Sequence, residues 1–244
     1  MIVLDEALVL QVREYSESSQ IVAFWTRRHG RVTGIVKGVR RQDRRAFDGP
    51  FETATHVEIG FYPRRQGEGL CILSESSLQA RFAPVRESLE GWWAWSEASE
   101  AVLALTREMD PHPEVFEALE ALMAGGGLPV FLLRLLQAAG NTPALETCAG
   151  CGSTLPERLR VSFAFWVGGA VCASCRQGPL APLPVALRLA LAAAARGAEV
   201  PEALRRPAES LLARYVGHLA GDGMASASCR DRSRRALRRW RVPA

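Results

Sequence analysis

Four of the six cysteines stand in two tight pairs, Cys148-Ala-Gly-Cys151 and Cys172-Ala-Ser-Cys175, with twenty residues between the pairs. That is the spacing of a four-thiolate zinc site. Two residues between thiolates let the backbone turn sharply, so both sulfurs face one tetrahedral ion while backbone N–H groups point at them. Gly150 and Gly152 supply backbone freedom for such a turn. Four thiolates close the coordination shell, whereas a catalytic zinc keeps one position open and usually includes histidine or a carboxylate. The expected ion is therefore a structural Zn2+, one per chain. A redox dithiol would need a C-x-x-C beside a βαβ unit, and the sequence offers none. Between the pairs, 161–165 reads as a strand and Gly168-Gly169 as a hairpin turn, which is a zinc-ribbon layout. Cys71 reads as a small core residue and Cys229 as an exposed thiol; neither is assigned a role.

The second chemical feature is electrostatic. Arg27, Arg28, His29, Arg31, Lys37, Arg40, Arg41, Arg44 and Arg45 fall within nineteen residues, and Asp43 is the one acidic residue among them. An isolated charge run is usually a solvated face. Here Lys37-Gly38-Val39-Arg40-Arg41 ends a strand-like run and enters a polar loop, where small barrels present ligand-binding loops. Phosphates are the natural counterions of such a run. The expected nucleic-acid site centres on Lys37, Arg40 and Arg41, with Arg27, Arg28, Arg31, Arg44 and Arg45 around it and Arg64 and Arg65 as an extension. Phe24, Trp25 and Phe61 are candidates to stack on bases, although an aromatic in a barrel strand is more often core. A second basic run, Arg230 to Arg241 with Trp240, either docks on phosphates or stays solvated. No Gly-rich phosphate loop, nucleophile elbow or cluster of the four histidines is present, so the sequence does not read as an enzyme.

The elements that must position these groups follow from hydrophobic period. Segments 7–12, 20–25, 30–37, 53–61 and 70–74 are rich in Val, Ile and Phe and separated by turn residues such as His29-Gly30 and Asp48-Gly49-Pro50. Five short strands without room for crossover helices predict a small antiparallel barrel over 1–80; OB-fold and SH3-like topologies fit the count about equally. From Arg81 the period becomes helical, with helices around 95–105, 115–123, 129–139, 184–196 and 207–220. The expected organisation is a multi-domain α+β chain: barrel 1–80, helical domain 81–145, a four-cysteine insertion 146–178, the rest of the helical domain 179–224, and an Arg-rich tail 225–244. At 244 residues and 48% apolar content the chain can fill such cores. Its net charge of +4 is mild, so the distribution carries the signal. Asp5 and Glu6 sit where a signal peptide would be apolar. The longest uncharged stretch, 161–175, is too short to span a bilayer, and reduced cysteine pairs suit the cytoplasm.

Taken in order, these motifs resemble the bacterial RecO family of DNA repair proteins and recombination mediators. The resemblance runs through Ala7-Leu8-Val9-Leu10, Glu14-Tyr15-Ser16-Glu17, Thr26-Arg27-Arg28-His29-Gly30 and Val36-Lys37-Gly38-Val39-Arg40-Arg41. It resumes at Leu132-Leu133-Arg134-Leu135-Leu136, passes Gly140 and Pro143 into Cys148-x-x-Cys151-Gly152, and returns at Gly168-Gly169-x-Val171-Cys172-x-x-Cys175. It implies an OB-fold rather than an SH3-like barrel. It also implies a cytoplasmic, nucleoid-associated protein that binds single- and double-stranded DNA and anneals complementary strands. Within the RecFOR pathway such a protein works with RecR and single-stranded DNA-binding protein to load RecA. The acidic, apolar-ended tail of that last partner is expected on the helical domain, with Leu132, Leu133, Leu135 and Leu136 beside Arg134 as a candidate surface. The competing class is a zinc-ribbon RNA-binding or transcription-associated module.

Overall fold

Residues 1–40, 46–64 and 69–221 are described by the structure, a computed structural model. They fall into two compact units: Met1–Trp95 with Thr106–Gly125, and Ser96–Leu105 with the described residues from Gly126 on.

The first unit is built on a closed five-stranded barrel of β1 (Val3–Ser16), β2 (Ser19–Thr26), β3 (Gly30–Val36), β4 (Thr55–Tyr62) and β5 (Cys71–Arg81). The strand order is β1-β2-β3-β5-β4, and β3 meets β5 in parallel at Gly34↔Cys71 and Ile35↔Ile72. This is OB topology, so the SH3-like alternative falls. One long strand makes closure possible. β1 pairs β2 through Ala7–Ser16 and β4 through Val3–Leu8, and register shifts after Val9 and Glu14 coil it around the barrel. Where β3 crosses β5, a Cβ on Gly34 would run into Leu73 Cδ1, so a larger residue there must push the Leu73 side chain aside. Alternating inward residues fill the core: Val9, Val22, Phe24, Val32, Ile59 and Phe61 are all buried.

β1 starts four residues before the apolar run that announces it, because its acidic residues are satisfied by the β2–β3 turn. The buried Asp5 accepts hydrogen bonds from the Arg28 backbone N–H (3.0 Å) and lies 2.7 Å from His29 Nδ1, and Glu6 Oε2 accepts from Arg27 Nε at 2.7 Å. A short helix α1 (Ala83–Arg86) and the first part of α2 (Leu89–Leu105) follow the barrel. Helix α3 (Pro113–Met123) opens on Pro113 and buries Val115, Phe116, Leu119, Leu122 and Met123. Its Phe116 ring lies under the Arg27 guanidinium, 4.1 Å from ring centre to Cζ.

The second unit packs α4 (Leu128–Ala138), α5 (Val185–Ala195) and α6 (Glu202–Ala220) against one another. α6 begins before the expected start at Pro207, which sits inside it and removes one backbone donor. Between α4 and α5 lies a three-stranded sheet, order β7-β6-β8, formed by β6 (Val161–Ala164), β7 (Gly169–Val171) and β8 (Leu180–Leu183). Phe163 fastens this ribbon to α6 through an edge contact with Tyr215, centroids 5.3 Å apart. Among the described residues no helix is long and apolar enough to cross a membrane.

Candidate metal centre and nucleic-acid interface

The two cysteine turns are built differently. In the first, the Cys148 N–H donates to Ser153 O (2.8 Å) and the Gly152 N–H returns to Cys148 O (2.8 Å), closed by a Thr147↔Thr154 bridge. The second is a single 3-10 turn, Ala173–Cys175. A hydrogen bond from Ala149 N–H to Ala170 O (2.8 Å) ties the first turn to β7, which delivers Cys172. The result brings all four sulfurs within 4.8 Å of one another, with Cys151 and Cys172 3.9 Å apart. Sulfurs about 2.3 Å from a tetrahedral ion are separated by about 3.8 Å, so these four cysteines are spaced to hold a metal ion. Gly152 does adopt the left-handed conformation (φ +74°). Gly150 serves by size instead: a Cβ there would meet Cys175 Cβ at 2.9 Å and its sulfur at 3.1 Å.

Electrostatics treat the four sulfurs unequally. Burial works against ionisation of Cys148, but the N–H groups of Cys172, Cys151 and Gly150 point at its sulfur and bring the thiol down to about 6. Ser153 lowers Cys151, whereas the sulfurs of Cys172 and Cys151 push Cys175 up to about 12. Neighbouring thiolates repel, and a central divalent cation removes that conflict.

One positioning residue carries no motif. Arg188 on α5, only 1% exposed, donates from Nη1 to Leu145 O (3.0 Å) and Leu155 O (3.3 Å), and from Nη2 to Pro156 O (2.8 Å) and Glu157 O (2.9 Å). These carbonyls bracket the first cysteine turn. The available signal was a single internal arginine in an Ala/Leu helix.

The structure divides the basic segment between the two ends of the barrel. Lys37 is exposed just past β3, on the outward side shared with Ile35. Arg40 lies beside the β1–β2 turn: its N–H reaches Ser18 O at 3.4 Å and its Nη2 pairs with Glu14 at 2.6 Å. Arg27, Arg28 and Arg31 sit at the opposite end. Arg27 pairs with Glu6 and Glu120, Arg28 with Asp5, and Arg31 is half-buried beside residues 108–109. Burial draws the Arg27 guanidinium down, and those two carboxylates more than reverse it. Arg64 is exposed after β4. Arg41, Arg44, Arg45, Arg65, Cys229 and the Arg230–Arg241 run lie outside the described residues.

Burial favours the core reading for two sets of candidate contact residues. Phe24, Trp25 and Phe61 are each 0% exposed, so they cannot stack on a ligand. Leu132, Leu133, Leu135 and Leu136 are buried in the helical core and floor no groove, because α4 is covered by α5 and α6. Cys71 is a core residue, as its strand position suggested. The exposed aromatics of the barrel are Tyr15 and Tyr62. Register places Tyr62 in an outward row, Arg13–Ile21–Ile35–Ile72–Tyr62, that crosses β1, β2, β3, β5 and β4 and adjoins Lys37.

An OB barrel followed by a helical unit carrying a four-cysteine cluster defines a multi-domain α+β class. Residues 1–82 match the family described as Recombination protein O N terminal, and residues 86–226 match Recombination protein O C terminal. The chain is 34% identical over 235 residues to the DNA repair protein RecO of Myxococcus xanthus, covering 91% of this chain and 94% of that protein. It is 35% identical over 230 residues to the DNA repair protein RecO of an Anaeromyxobacter species, covering 87% and 89%. The chain belongs to the RecO family, a family of DNA repair and recombination.

Proposed function

We propose that this chain is a non-catalytic mediator that binds single- and double-stranded DNA, anneals complementary strands and, with RecR, helps load RecA onto DNA coated by single-stranded DNA-binding protein. The metal held by Cys148, Cys151, Cys172 and Cys175 is a structural zinc, because four soft thiolates leave no open position. The protein acts on chromosomal DNA in the cytoplasm.

The observation that carries the DNA reading is the outward row on the barrel. It sets partly exposed apolar and tyrosine side chains beside Lys37, which has no carboxylate partner among the described residues, while Arg40 lies by the β1–β2 turn, paired with Glu14. Tyrosine offers a stacking face and the cations take phosphates. Arg41 follows Arg40 directly, and Arg44 and Arg45 come after Gln42 and Asp43, adding to the positive charge of this segment of the sequence. Arg40, like Arg27, Arg28 and Arg31, takes part only by exchanging its present contacts for phosphates. Annealing needs no reacting group: cations that neutralise two backbones lower the repulsion between strands.

The test is affinity for single- and double-stranded oligonucleotides across a salt series, comparing wild type with a Lys37→Ala, Arg40→Ala, Arg41→Ala variant. All sequences are expected to weaken alike, since phosphate contacts carry no base information. The salt slope should fall by about one unit per lost contact. A folded, metal-loaded variant with unchanged affinity and slope would move the site off this end of the barrel.

A further inference from the structure

The ribbon holds an exposed aromatic that its own packing does not require. Trp166 follows β6 and is 52% exposed, whereas its neighbours Phe163 and Phe165 fill the ribbon core. Its indole is fixed: Nε1 donates to Gln177 O at 3.2 Å, and the side-chain-free Gly178 backs onto that edge of the ring. One edge is anchored and about half of the residue's surface is left to solvent.

Arginines stand on the ribbon and on the helix α6 that packs against it. Arg176 adjoins Gln177, the residue that accepts the indole hydrogen bond, and is exposed. Arg214 of α6 lies over Phe165, the residue next to Trp166, with its Cζ 4.8 Å from the ring centre. Arg160 stands at the start of β6. Together with Arg176 it rims a groove of about 640 Å³ whose floor is Val161, Leu180 and Leu183. None of these three arginines has a carboxylate within ion-pair distance among the described residues.

We propose that this face of the ribbon is a second single-strand contact, in which Trp166 stacks on a base and Arg176, Arg214 and Arg160 take the flanking phosphates. An anchored aromatic face among unpaired cations matches an unstacked polynucleotide: every base has a π-face, and the backbone supplies the missing negative charge. A duplex, whose bases already stack on each other, has no free face to offer. The inference rests on the reading of the chain as a DNA-binding protein and adds a strand-selective site to its barrel.

The experiment uses the full, metal-loaded chain with Trp166→Ala, Trp166→Phe and Arg176→Ala, measured against oligothymidine and a duplex of equal length. Trp166→Ala is expected to weaken single-strand binding roughly tenfold and leave the duplex unaffected, with Trp166→Phe between it and wild type. Arg176→Ala should lower the single-strand salt slope by about one unit. If Trp166→Ala leaves single-strand affinity intact while the Lys37/Arg40/Arg41 variant loses it, the ribbon contact is wrong and the barrel reading stands. If wild type itself binds neither DNA, the DNA reading fails first. Should Trp166→Ala spare DNA binding but abolish binding of an acidic peptide, the face belongs to a protein partner and the proposal is overturned.

Discussion

At the scale of single residues, the metal centre depends on how closely backbone and sulfur approach. Gly150 separates the cysteines of the first turn, and any side chain there would press on the Cys175 sulfur. Gly150→Ala should therefore lower zinc affinity at least tenfold while leaving a protein that still folds at saturating zinc. Cys148→Ser should do more, because it removes the ligand whose sulfur receives three backbone N–H groups. Metal affinity is folding energy in such sites, so its thermal midpoint and soluble yield should both fall, and DNA binding per folded molecule should fall less. Competition with a chromophoric chelator, followed by thermal melts with and without zinc, checks both variants. Freshly purified wild type without zinc, or with a disulfide joining the two cysteine pairs, would sink the assignment.

At the scale of elements, α5 holds the ribbon through one guanidinium. Arg188→Met keeps the apolar stem but strands four carbonyls around the first cysteine turn, at a cost of about 3 kcal/mol or more. Arg188→Lys retains the charge without the planar fork and should lie between Met and wild type. Zinc affinity should drop alongside stability, since Leu145 and Leu155 flank Cys148 and Cys151. An Arg188→Met protein with unchanged melting and zinc affinity would show that the turn holds itself. Nothing in local sequence reveals this clamp: its partners are carbonyls 31 to 43 residues away. The cysteine spacing was legible because it encodes its own geometry, β3 because its inward residues alternate cleanly, and β2 because its apolar run is buried along nearly its whole length. The far half of β5, Glu75 to Arg81, was not legible, since its polar run is a strand only through pairing with β4. The strand pattern alone left barrel topology open, because the β3–β5 pairing is non-local, and the choice of an OB-fold came from the family resemblance. The split of the basic segment has the same origin: charges adjacent in sequence go to opposite ends of one hairpin when β3 lies between them.

At the scale of the whole molecule, a net charge of +4 over 244 residues is too small to attract DNA by itself. What counts is that each compact unit concentrates cations at a defined place, Lys37 and Arg40 on the barrel and Arg160, Arg176 and Arg214 on the ribbon-bearing unit. Several phosphate contacts made together give a steep dependence on ionic strength, and that dependence exposes the annealing mechanism. Free complementary strands anneal faster as salt rises, because screening weakens the repulsion between their backbones. If this protein promotes annealing by neutralising phosphates, added salt must displace it and slow the reaction. The sign of the salt effect should therefore invert: acceleration by salt without protein, deceleration with it, over a range such as 50 to 200 mM where phosphate contacts weaken strongly. Annealing rates of complementary fluorescent oligonucleotides, with and without saturating protein, measure this directly. A protein-dependent rate that rises with salt would mean that annealing does not proceed by charge neutralisation, even if both basic surfaces bind DNA.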